Sequence, residues 1–159
     1  MLTITVEESA FRAYLQALQE RLGNLAPALD EIGDLLEERI RQRFETRTDP
    51  SGAPWLPWAE STRENYPTPG AKTAERLKYG PGHGNLLDRY GTMLRSLNHQ
   101  TDAASVTIGF ASDYAVCHEF GTRKMPRRGL VFQNPESGRL APDDEQAVID
   151  ILQDWLMPE

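Results

Sequence analysis

The chain has a single cysteine, Cys117, so neither an internal disulfide nor a multi-cysteine zinc site can hold it together. It lacks any apolar run near the roughly 18 to 20 residues that span a bilayer. Its opening, MLTITVEESAF, has neither the basic region nor the apolar block of a signal peptide. These absences predict a soluble protein kept in a cytoplasm, with no membrane partner. Histidine is scarce, and neither His83 nor His99 stands in a recognisable metal-ligand frame. No internal repeat is visible. Packing or assembly is left as the source of stability.

What is present fits one core. A length of 159 residues with 39% apolar content predicts a single domain over 1–159. The net charge of −7 is unevenly spread: residues 141–159 carry six acids and no base, whereas 51–140 carry eleven bases and eight acids. An acidic tail beside a basic middle fits subunits that dock by charge. A merely solvated acidic helix fits equally well.

Leu2, Ile4 and Val6 alternate with polar residues, the period of a short strand. Phe11, Leu15, Leu18 and Leu22 then fall on one helical face, with Gly23-Asn24 as a stop. Leu25, Leu29, Ile32, Leu36, Ile40 and Phe44 predict a longer second helix, making a hairpin, or one bent helix if Pro27 lies in a first turn. Residues 46–85 are a long excursion rich in proline and glycine, with short helices expected around 61–65 and 73–78. Strands are predicted at Ser96–Thr101 and Ser105–Phe110, joined by a polar turn, and another at Gly129–Gln133. Tyr114–Phe120 reads as a short helix capped by Ser112 or Asp113 and ended by Gly121. Pro142 opens an acidic helix whose apolar face is Val148, Ile149, Leu152, Trp155 and Leu156. The expected class is α+β: an N-terminal helical hairpin packed on a small, mostly antiparallel sheet, with a C-terminal helix.

The run YAVCHEFGTRKMP, Tyr114 to Pro126, holds Cys117, His118 and Glu119 side by side. On a helix these successive residues diverge by roughly 100° each, so they do not converge on one atom. His118 is therefore read as structural, and Cys117 as a small buried hydrophobe. A small metal-dependent hydrolase or nuclease using His118 and Glu119 is the alternative. YGPGHGN at 79–85 lacks the Lys-Ser/Thr of a phosphate loop. Arg123, Lys124, Arg127 and Arg128 form a basic cluster without interleaved aromatics; it would meet either a phosphate backbone, as in a DNA-contacting packaging accessory, or a neighbour's acidic tail. Trp55 and Trp58 lie in proline-rich sequence, as anchors for a partner's groove or as caps on the helical hairpin.

The segments DPSGAPW (49–55), LLDRYGTMLRSL (86–97), VTIGFASDYAVCHEFGT (106–122) and KMPRR (124–128), in this order after two helices, resemble the phage virion morphogenesis family of Mu-like and related tailed phages, which includes tail completion proteins. The resemblance implies a structural, non-enzymatic subunit without a cofactor. It implies a homo-oligomeric ring, typically hexameric, at the neck or tail end of the virion. Such a ring is assembled in the host cytoplasm and joined to head-connector and tail-tube proteins, with DNA met only as it passes the lumen. Tyr114, His118, Phe120, Gly121, Pro126 and Arg128 become packing or interface positions in that light. Trp55, Trp58, Arg123, Lys124, Arg127 and Trp155 complete the expected interface or structural set. The chain departs from the family at Gly129-Leu130-Val131-Phe132, where many members carry a Pro-Phe-Leu-like run.

Overall fold

A computed structural model of the chain describes residues 8–60, 86–87 and 91–157. The strand expected at the N-terminus and the short helices at 61–65 and 73–78 fall outside the described residues.

Helix α1 (Glu8–Gly23) ends at the predicted glycine, and α2 (Ala26–Thr46) begins after Asn24 and Leu25. The helices are therefore separate. Pro27 lies in the first turn of α2, where the missing N–H would have had no helical partner. At the other end Arg47 adopts a left-handed conformation (φ 58°) and its amide returns to Arg43 O. The chain then makes a tight turn ordered by the Asp49 carboxylate, which accepts from Ser51 N at 2.9 Å, Ser51 Oγ at 2.6 Å and Ala53 N at 3.0 Å. Gly52 supplies the positive φ (83°) that this turn requires. The turn aims Trp55 back at the protein's interior.

A one-turn helix, α3 (Thr92–Arg95), leads into strand β1 (Leu97–Thr101), which pairs antiparallel with β2 (Val106–Phe110) so that Leu97 faces Phe110 and Thr101 faces Val106. Asp102 closes the hairpin by accepting from Ala104 N at 2.8 Å and Ser105 N at 2.7 Å. Helix α4 (Tyr114–Phe120) and helix α5 (Pro142–Leu156) follow. The two expected strands and both later helices are present, and the architecture is α+β. Gly129–Gln133 is not a strand, because the amides that would form a ladder are taken by a side chain described below.

α2 lies across the hairpin. Its Ile40 and Phe44 meet Trp55, Leu86, Met93, Leu97, Ala115 and Leu130 in one buried cluster. Gly33 lets β1 approach, since a Cβ there would overlap the His99 ring. His99 in turn clamps the strand to α2 through Glu37 Oε1 at 2.9 Å and Asp30 Oδ1 at 3.2 Å. The bond to Glu37 holds the His99 pKa above the ordinary histidine value.

α5 docks on α2 by charge. Asp144 is buried and pairs with Arg39 at 2.9 Å and with Arg43, whose other nitrogen donates to Leu130 O at 2.8 Å. α1 touches the far end of α5: Arg21 donates to Trp155 O at 2.6 Å and Met157 O at 3.1 Å, and lies over the Trp155 ring. A cation on the last carbonyls of a helix is well placed against its dipole.

Candidate assembly interface

Helix α4 is only seven residues long, too short to be stable by itself. Its inner side carries Ala115, which enters the core, and Glu119, which is buried. Glu119 is the organising residue. Its Oε2 accepts from Leu130 N at 2.7 Å and Val131 N at 2.9 Å; its Oε1 accepts from Phe132 N at 3.2 Å and from Arg127 Nη2 at 3.2 Å. Four donors on one buried carboxylate balance its desolvation. Arg127 closes the ring of bonds by donating to Glu119 O at 2.8 Å and to Phe132 O.

Arg128 is buried and donates to Leu56 O at 2.8 Å and Pro57 O at 3.0 Å, while its own amide bonds His118 O at 2.8 Å. Trp55 is buried too: its indole donates to Gly129 O at 3.0 Å and its ring meets Phe44 edge-on at 5.5 Å. The proline-rich turn, the 127–132 loop and α4 are thus tied into one unit. Trp55 is a core residue and not an anchor for a partner's groove. Trp58 packs half-buried beside the same cluster.

Gly121 ends α4 as expected, with φ 74° and ψ 174°, a backbone conformation open only to glycine. A Cβ there would also come within 2.9 Å of Arg127 N. Asp113 stands at the cap position but makes no side-chain cap bond. His118 is half-buried with Nδ1 unpartnered, and burial, then the nearby Arg128 charge, lowers its pKa to about 4. His118 and Glu119 diverge on the helix as expected, and Glu119 is committed to backbone amides.

The basic cluster expected at 123–128 divides. Arg127 and Arg128 are internal ties, and only Arg123 and Lys124 remain exposed, at the tip of the turn closed by Thr122 N to Met125 O at 2.8 Å. Pro126 is exposed just after that turn. The outer side of α4 is apolar. Tyr114, Val116 and Phe120 are each more than half exposed, and Cys117 lies among them in solvent, not buried as its residue type suggested. Phe11, Leu15 and Leu22 of α1 are also about half exposed.

Sequence reading missed Glu119 as a hub. The signal was available in part: a carboxylate on the inner side of a short helix, across from Tyr114 and Cys117, followed by two arginines. Asp144 was missed for a similar reason, hidden in an acidic run.

Among the described residues no group of three His, Cys, Asp or Glu side chains could hold a metal ion, and no helix is long and apolar enough to cross a membrane. No curated protein and no solved structure matches the chain. Residues 6–157 match the phage virion morphogenesis family, covering every element from α1 to α5. The chain belongs to the phage virion morphogenesis family, whose members serve the building of the phage particle.

Proposed function

We propose that this protein is a tail-completion or neck subunit that acts as a closed ring of identical copies, hexameric by analogy with related neck proteins, and supports the joining of head and tail. Its partners would be the head-connector and tail-tube proteins of the same virion, with DNA passing through the lumen.

The observation that carries the reading is the amphipathic helix α1. Its stripe of Phe11, Leu15 and Leu22 is spaced for helix packing and stands about half exposed, as it would on a subunit completed by its neighbours. The outer side of α4 repeats the theme. Family membership supports the setting of this assembly in the virion. The architecture also gives Glu119, Arg127 and Arg128 internal structural work, which favours an assembly subunit over a hydrolase or a packaging accessory that binds DNA through the 123–128 segment.

The test is electron microscopy of lysates from a phage with an early stop codon in this gene, with and without a plasmid copy. Filled heads and separate tails, or tails of irregular length, are expected without the plasmid. Normal joined virions in its absence would overturn the reading.

A further inference from the structure

A ring of identical copies needs two surfaces of the chain that fit each other. Two surfaces of this chain are complementary in both shape of pattern and sign of charge.

The first is the outer side of α4. At roughly 100° per residue, Val116, Phe120, Cys117 and Tyr114 occupy one continuous arc, and Ala115 and Glu119 occupy the opposite one. No charge interrupts the arc. Four bonds to the Glu119 carboxylate fix its orientation, so little ordering is lost on docking. Beside it the 122–125 turn presents Arg123 and Lys124, which make no ion pair with another described residue.

The second is the outer side of α5. Its inward carboxylate, Asp144, is used by Arg39 and Arg43. Outward, Ile149, Gln153 and Met157 form a stripe at spacings of four, and Asp143, Asp150 and Asp154 run along its flank within about 40° of one another. All of these are exposed, and no base lies in 141–159. An apolar arc with a basic rim thus has its counterpart in a stripe that carries two exposed apolar side chains, Ile149 and Met157, about Gln153 and has an acidic rim.

Resting on the ring reading, we infer that the α4 arc and the Arg123-Lys124 tip of one copy dock on the outer face of α5 of the next. Two different patches on one chain give a head-to-tail contact, the kind that closes into a ring when the rotation per subunit permits. The α1 stripe is a weaker counterpart, because Arg12 and Arg21 on its two flanks carry the same sign as the Arg123-Lys124 tip. The interface is part apolar and part ionic, so high salt weakens it without abolishing it.

The first measurement is sedimentation velocity of the full chain. The Arg123→Glu/Lys124→Glu variant and the Asp150→Lys/Asp154→Lys variant are each expected to weaken self-association at least tenfold, and the fourfold variant to restore it. Restoration distinguishes a direct pairing from damage to the fold. The second uses Cys117, the only native cysteine: Gln153→Cys protein, supplied to the stop-codon phage and mildly oxidised in purified particles, should give a ladder of covalent multimers. The same substitution on a Cys117→Ser chain should stop at dimers. An oligomer indifferent to both reversals, with no ladder in particles, overturns this interface and leaves the ring standing. If Leu15→Glu then dissolves that oligomer, the α1 stripe is the contact instead. A chain monomeric in solution and absent from particles overturns the ring reading itself.

Discussion

Helices α1 and α2 repeat apolar residues at the same spacing of three and four, yet Ile32, Leu36, Ile40 and Phe44 of α2 are buried while Phe11, Leu15 and Leu22 of α1 stand about half exposed. Propensity does not separate them, since both are rich in alanine, leucine, glutamate and arginine. What differs is cover. The hairpin, Trp55 and Leu130 lie over α2, whereas α1 meets the end of α5 through Arg21, which bonds Trp155 O and Met157 O. A 3.6-residue period states that one side of a helix is apolar; it does not state whether the matching surface belongs to the same chain.

The comparison is easiest to break in the core. Phe44→Ala should cost about 3–5 kcal/mol, the usual effect of truncating a buried aromatic, and would be read as a lower urea midpoint. A loss below about 1 kcal/mol would mean that the cluster around Phe44 is loosely packed. Glu119→Ala is expected to cost about 3–5 kcal/mol as well, because it strands three backbone amides and the Arg127 guanidinium around an empty site. Thermal melts at matched protein concentration would measure it. Indifference to this change would show that the 127–132 loop is held by something other than the carboxylate.

On α1 the sign of the experiment reverses. Leu15→Asn should leave the stability of the single chain within about 0.5 kcal/mol, as for an exposed position. A loss of 2 kcal/mol or more, on the order of a core truncation, would place Leu15 in the subunit's own core and remove the contrast with α2.

The smallest effects concern pH, where two histidines oppose each other. His118 has a depressed pKa, so the unfolded chain binds its proton more readily than the folded one. Its contribution is therefore lost as pH falls from about 6.5 towards 4. His99 has a raised pKa, so its contribution is present below about 6.5 and lost as pH rises through the folded value. Urea midpoints against pH should flatten on the acid side in His118→Leu and on the neutral side in His99→Gln. Unchanged profiles in both variants would refute the two shifts.

Much of this architecture is legible in the sequence because it is written in local periods. The helical faces, the paired strands around Asp102 and the position of Gly121 all follow from spacing and turn chemistry. The family resemblance extended that reading across the chain and agrees with the match over 6–157. The misreadings share one cause: a residue's type was taken to announce its surroundings. Cys117 was expected inside and Arg127 and Arg128 outside; instead Cys117 is exposed, Arg128 is buried and Arg127 half-buried, the two arginines serving the buried carboxylate of Glu119 and the carbonyls of Leu56 and Pro57. The 129–133 segment has the composition of a strand, but the amides of Leu130, Val131 and Phe132 had already found an acceptor 11 to 13 residues back.

That nearness in sequence also decides how a subunit comes apart. The amide bonds to Glu119 span 11 to 13 residues, whereas the Trp55 bond to Gly129 spans 74. By loop-closure entropy the long tie costs about 1.7 kcal/mol more to make than an 11-residue one. Partial opening should therefore free Trp55 first: in a Trp58→Phe/Trp155→Phe background, its emission would shift at lower urea than the Leu130 and Val131 amides lose protection. The opposite order would contradict this. In that order of opening, α4 stays tied to the 130–132 amides after Trp55 is released, so Tyr114, Val116 and Phe120 keep their apolar side presented as one piece.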